Sequence, residues 1–404
     1  MREKAFAIEK DVDPLPRHLV IGNGKFLINL DRNTYMRDLY YPYVGQLNHI
    51  GGYQCRVGLW VDGAFSWLSD PDWSFELSYV EDSLVTQVKA SHYHLGISLV
   101  INDGVHQRED IYLKRISVYN HWDKVREVRM FFNQDLVINE TEVGDTAAYY
   151  PQNNTVFHYK KDRYFMFNGL AGTEGLFQYT TGVKRFYNAE GTWRDAEDGH
   201  LMGNAIAQGS VDSTVSVRMH VPPRQEETLY YWMTAGKNLE EVKKLDAYVK
   251  DSHPGKLLDR TQIYWQRWVN KSERDYGNLP EEVIRLYKFS LLMVRTQTDV
   301  NGAIIAANDS DIMQSNRDHY SYIVAPGRRP DRVCDVDGRL PGHDYAVLPL
   351  LCERPLPRRL SAPQIQSGRN GRLVLASLPQ RRQHAAADPG GRNGARTVRP
   401  VAGL

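Results

Sequence analysis

The chain has little cysteine: three in 404 residues, at Cys55, Cys334 and Cys352. One thiol before residue 334 excludes a disulfide framework and fits a reducing, cytoplasmic compartment. No run of 18 apolar residues occurs, so no membrane-spanning helix is expected. Met1 to Leu15 is charged throughout and has no apolar h-region, so no secretory signal is read there. A different lack begins at Val324. The last 81 residues contain no Lys, Phe, Trp or Met, and one aromatic residue, Tyr345. They hold 14 Arg and 10 of the 19 Pro. With 6 acids, that segment is at +8 and residues 1–323 are at −7. The net charge of +1 is therefore an average over two unlike parts and names no partner. The acidic part argues against nucleic acid as a partner. Composition alone leaves residues 324–404 open between a disordered Arg/Pro-rich arm and a stretch translated out of frame.

What is present before the break reads first as strands. Gln54–Trp60 and Ala64–Leu68 flank Asp62-Gly63, a type I′ hairpin signal. His94–Ile101 leads into Asn102-Asp103-Gly104, read as a turn, and then Ile111–Tyr119. Val125–Phe132, Thr155–Tyr159, Tyr164–Phe167, Leu176–Thr180, Thr214–His220 and Thr228–Met233 follow at similar spacing. This pattern predicts a large antiparallel β-sandwich over residues 1–236. The period changes near Gly236. Asn238 with Glu241 forms a capping box for a helix through Val249. His253-Pro254-Gly255 interrupts it. A second helix is expected over Leu257–Val269, with Leu258, Ile263, Trp265 and Trp268 facing inward. Residues 237–277 therefore read as a helical linker. Asn278 to Glu282 opens a third helix, with Pro280 in its first turn and acids at the positive end of the dipole. Val283, Ile284, Tyr287, Leu291 and Val294 are its expected buried stripe. No internal repeat is visible.

The segment Asn301-Gly-Ala-Ile-Ile-Ala-Ala-Asn-Asp-Ser-Asp-Ile-Met-Gln-Ser-Asn-Arg-Asp-His-Tyr-Ser-Tyr322 resembles the bacterial branch of glycoside hydrolase family 15. In that family the stretch runs on as HYSYMWPRDGAL. Tyr41-Pro-Tyr-Val-Gly-Gln-Leu-Asn-His49 is similar to the β domain of the same enzymes. The likeness covers residues 1–323 and stops one residue after Tyr322. Val324 to Cys334 is compatible with codons that, read one base later, spell WPRDGALIAYA, the family's continuation. Ala385 to Gly403 is compatible in the same shifted frame with LPLIQEDETALVLYALWQD, an acidic amphipathic helix. One extra base, or two lost, is expected near codon 324, which makes 324–404 a non-native tail.

The resemblance implies residues 278–323 to be the start of an (α/α)6 catalytic domain. It implies an inverting hydrolase that releases glucose from non-reducing ends of α-glucans or maltooligosaccharides. Inversion needs a carboxylic acid and a carboxylate base roughly 6.5–9.5 Å apart. In the family both are glutamates late in the barrel, so the resemblance leaves this chain with no catalytic residue. Arg329 and Asp331 belong to another frame and do not replace the family's Arg-Asp pair. Tyr320 remains, where the family sets an aromatic ring against the first sugar; it reads equally as a core tyrosine. Asn316, Arg317 and Asp318 read as loop-shaping residues. Trehalase, dextran-glucosidase and glycoside phosphorylase chemistry on the same architecture stay as alternatives, as does a non-catalytic carbohydrate-binding β module. No cofactor is expected, and nothing in the pattern specifies an oligomeric state.

Other constellations are weaker. His92 and His94 form His-x-His on a strand, which would put both on one face to ligate a metal or to meet solvent. Gly22-Asn23-Gly24 lacks the third glycine of a dinucleotide loop and reads as a turn. Asp335-Val-Asp-Gly338 suggests a calcium loop but lacks the closing glutamate. Glu281-Glu282 reads as helix N-terminal charge. Trp60, Trp67, Trp73, Trp193, Trp232, Trp265 and Trp268 offer sugar platforms, or more simply core packing.

Overall fold

The computed structural model describes residues 18–272, 274–308 and 323–325. Its strands, in chain order, begin with β1 (Leu19–Gly22), β2 (Leu27–Leu30), β3 (Met36–Tyr43), β4 (Gln46–Asn48), β5 (Val57–Val61), β6 (Ala64–Trp67), β7 (Trp73–Tyr79), β8 (Thr86–His92), β9 (Ile97–Val105) and β10 (Ile111–Asn120). They continue with β11 (Arg126–Gln134), β12 (Asp145–Tyr150), β13 (Thr155–Lys160), β14 (Arg163–Ala171), β15 (Gln178–Val183), β16 (Ile206–Gly209), β17 (Val211–Val221) and β18 (Glu226–Gly236). Helices α1 (Leu239–Ser252), α2 (Pro254–Val269) and α3 (Glu281–Thr296) follow, then the short strands β19 (Ile304–Ile305) and β20 (Ile323–Ala325).

All strand pairings among the described residues are antiparallel, as the period-2 pattern predicts. A nine-stranded sheet runs β16-β12-β13-β14-β18-β10-β9-β8-β7, and a five-stranded sheet runs β15-β17-β11-β5-β6. β1 to β4 form a third, four-stranded sheet in chain order. One apolar core joins them. Ile116, Met130, Val217 and Leu229 are fully buried in it, and Phe132 stacks on Tyr231 at 4.2 Å between ring centroids. Each such side chain contributes about 1.5–3 kcal/mol of burial.

The helix starts follow their caps. Asn238 Oδ1 accepts from the Glu241 amide at 2.9 Å, and Glu241 Oε2 reaches back to the Lys237 amide at 2.8 Å. The predicted break holds as well: His253 sits at φ 67° and its Nδ1 accepts from the Gly255 amide, capping α2.

Three expectations fail. Asn102-Asp103-Gly104 is not a turn but the interior of β9, paired with Arg115, Lys114 and Leu113. Lys114 Nζ meets Asp103 at 2.8 Å, and Tyr112 Oη donates to it at 2.5 Å, so the buried carboxylate is paired rather than turned outward. Gly104 is there because α2 packs on it: a Cβ would lie 2.8 Å from Leu258 Cδ1. Ile263 of α2 is 45% exposed rather than inward. In α3 the predicted stripe is misplaced. Val283 is exposed and Ile284, Tyr287, Leu291 and Val294 only half-buried, whereas Leu292, Arg295 and Thr296 are buried. The helix docks through its C-terminal half, where Phe289 meets Tyr79 edge-on at 5.1 Å and Lys288 pairs with Asp82 at 2.8 Å.

Candidate functional site

The chain leaving α3 is tied down on the four-stranded sheet. Asp299 Oδ2 accepts from the Val44 amide at 3.1 Å, and its Oδ1 accepts from both nitrogens of Asn301 at 2.8 Å. The Val300 amide donates to the Gly24 carbonyl at 2.9 Å. Gly24 has φ +94°, and a Cβ there would meet the Arg295 guanidinium at 2.8 Å, so both backbone and packing require glycine. Ile305 is buried against Leu27, Tyr40 and Val44.

A buried polar cluster completes the junction. Asp38, fully buried on β3, accepts from Asn29 Nδ2 and Asn48 Nδ2, each at 2.9 Å. Asn29 also exchanges hydrogen bonds with Asn308: its Nδ2 donates to the Asn308 carbonyl, and its Oδ1 accepts from Asn308 Nδ2 at 3.0 Å. Asn48 Oδ1 accepts from the amides of Leu39 and Ile50 at 3.2 and 3.1 Å. The cluster thus fixes the chain at residue 308. Both oxygens of Asp38 and of Asp299 are occupied by donors, so neither is presented as a general acid or base.

The Tyr41–His49 motif serves the same junction. His49 is fully buried; its Nδ1 accepts from the Asn139 amide at 3.1 Å, so Nε2 carries the proton and donates to the Tyr41 carbonyl at 2.7 Å. Burial pushes its pKa down to about 4, so it is neutral. Tyr41 Oη donates to Asp110 at 3.1 Å, and burial raises the pKa of both groups. These are structural roles.

The sequence candidates fall out as follows. Tyr320, Asn316, Arg317, Asp318 and Asp335 to Gly338 lie outside the described residues. Gly22-Asn23-Gly24 is a turn, with Asn23 Oδ1 accepting from the amides of Lys25 and Phe26 at 2.9 and 3.0 Å. His92 and His94 do not share a strand face. His92 ends β8, is buried against Trp73 at 5.1 Å, and accepts at Nδ1 from the Leu95 amide. His94 lies in the next turn, exposed. No group of three metal-ligating side chains occurs among the described residues. Glu281 and Glu282 open α3 as expected. Trp67, Trp73, Trp232, Trp265 and Trp268 are buried. Trp60 and Trp193 carry guanidiniums instead of open faces: Arg129 sits 4.2 Å over the first and Arg56 4.5 Å over the second. The sequence pattern does not single out the Asn29–Asp38–Asn48 cluster. Its signal was polar residues inside otherwise apolar strands.

No family model matches the chain. An uncharacterized glycosyl hydrolase of Methanocaldococcus jannaschii is 21% identical over 294 residues, covering 71% of this chain and 46% of that protein. A solved bacterial glucoamylase complexed with acarbose aligns with a TM-score of 0.58 at 12% identity, over 73% of this chain and 43% of the other. The chain therefore shares the β-rich fold of a glucoamylase-like glycosidase and spans less than half the length of each of these two relatives.

Proposed function

We propose that this chain is the N-terminal part of an inverting glycoside hydrolase that releases glucose from non-reducing ends of α-glucans. On this reading, 1–236 is the β domain, 237–277 the linker and 278–323 the opening of an (α/α)6 catalytic domain. Residues 324–404 are then an out-of-frame tail, and the chain as translated is inactive because it lacks both catalytic glutamates. The observation that carries the reading is the match of Asn301 to Tyr322 to family 15, resumed in the shifted frame at Val324. The shared fold supports the glycosidase class.

Tyr320 is proposed to stack on the terminal sugar. The support is its position in the segment that resembles family 15. The test is to resequence the source DNA across codons 318–330 and express the restored frame. Glucose release from maltooligosaccharides, with inversion at the anomeric carbon, is expected from that protein and none from the present chain. Phosphate-dependent release of glucose 1-phosphate would favour a phosphorylase instead. Full activity from protein that carries the Arg-rich residues 324–404 would sink the reading.

A further inference from the structure

The outer face of the nine-stranded sheet bears a polar groove of about 410 Å3, lined by none of the residues of the junction at Asn308. Its floor follows from register. Asn102, Arg115 and Tyr230 stand opposite one another on β9, β10 and β18, and Val100, Ser117 and Thr228 form the next row. Period-2 alternation points all six away from the core.

The row is organised before any ligand arrives. Arg115 Nε and one terminal nitrogen donate to Asn102 Oδ1 at 3.1 and 3.0 Å; the other terminal nitrogen donates to Asp259 of α2 at 3.0 Å. The Ser117 and Thr228 hydroxyls are 2.8 Å apart. Tyr230 is half-buried at the edge, its ring edge-on to His253 at 5.1 Å and held against Gly255. Asn102 Nδ2 is taken by the Thr86 carbonyl at 2.8 Å, Asp259 offsets the arginine charge and Glu226 adds a carboxylate to the lining, so the groove presents hydroxyl, guanidinium and carboxylate groups without an uncompensated cation.

That chemistry selects among ligands. Phosphate or nucleic acid would call for unpaired cations. An apolar ligand would find mostly polar walls. A neutral polyol suits it, because sugar hydroxyls both donate and accept, and a sugar's C–H face can rest on a tyrosine ring. We infer that this groove is a non-catalytic binding subsite for a neutral oligosaccharide, on the β domain and independent of the hydrolytic site.

The experiment is calorimetric titration of the full chain with maltoheptaose, with cellohexaose as a second neutral probe. Ser117→Ala combined with Thr228→Val removes two hydroxyls at half-buried, solvent-side positions; circular dichroism and Tm check that it folds. Saturable binding of either sugar, weakened at least about fivefold by the double variant at unchanged Tm, is expected for the loss of two modest hydrogen bonds. Preference for maltoheptaose would identify an α-glucan subsite, and preference for cellohexaose a β-glucan subsite. No saturable binding of either sugar, or binding that the double variant leaves intact, would overturn the inference. Because no glucose release is read, these results stand apart from the hydrolase proposal.

Discussion

Asp38 shows how a single side chain can hold a distant part of the chain. Its two oxygens take amide hydrogens from Asn29 and Asn48, and Asn29 in turn holds Asn308. Asp38→Ala leaves two buried amides short of an acceptor, at a cost of about 2–4 kcal/mol. Asp38→Asn keeps one acceptor oxygen and should cost less. Urea unfolding checks both; equal stability of Asp38→Ala and wild type would show that the cluster contributes nothing. Histidine gives a second residue-scale expectation. Burial holds His49 and His106 at about 4 and His158 at about 3, below the usual 6.5. A histidine with a depressed folded pKa favours the fold in its neutral form. That contribution is whole above pH 6.5 and is lost as pH falls from there toward 4. For His49 it is on the order of 3 kcal/mol. The Tm should therefore drop steeply between pH 6.5 and 4.5, before the ordinary carboxylates titrate. A flat Tm over that window would show that these rings open to solvent.

Elements were legible where local chemistry and tertiary packing agree. Asp62-Gly63 makes its hairpin, with Asp62 at φ 51° and Gly63 at 91°, and nothing packs where a Gly63 Cβ would be. Asn238 and His253 cap their helices as the local pattern predicts. Asn102-Asp103-Gly104 reads as a turn because its turn chemistry is real, but that chemistry is outvoted. Lys114 and Tyr112 satisfy Asp103 across the ladder, Arg115 takes Asn102, and α2 needs Gly104. None of those partners is visible within a short window. The same holds for the junction cluster, whose members are up to 279 residues apart. Gly104→Ala puts a methyl 2.8 Å from Leu258, where β9 and α2 meet. We expect a loss of about 1–3 kcal/mol from overpacking, with faster amide exchange in α2. Leu258→Ala should partly rescue it by opening room. If Gly104→Ala is neutral, the helix is not seated on the strand as described.

At the scale of the whole molecule, α3 is the element whose surroundings look unfinished. It carries a broad apolar face beside a stripe of Glu281, Arg285, Lys288 and Arg295, yet Leu292 is its one fully buried large side chain, while Leu286 is 65% and Val283 44% exposed. Leu279 just before it is also exposed. A broad apolar helix face belongs against other elements, and exposed apolar residues invite association. On the proposed reading, a longer protein with the helical domain complete would set Val283, Ile284 and Tyr287 against neighbouring helices. This chain should then be poorly soluble and cleaved readily beyond about residue 275. The sharper test uses opposite signs in two contexts. Val283→Glu with Leu286→Lys should raise the solubility of this chain and leave its Tm unchanged, since both side chains meet water. In the frame-restored protein the same pair should cost several kcal/mol, because two charges would enter a packed interface. Sedimentation and thermal melts on both proteins check it. If the pair is harmless in both, α3 is a surface helix and the proposed helical domain does not close over it; if it is harmful in both, the exposed face already has a partner within this chain.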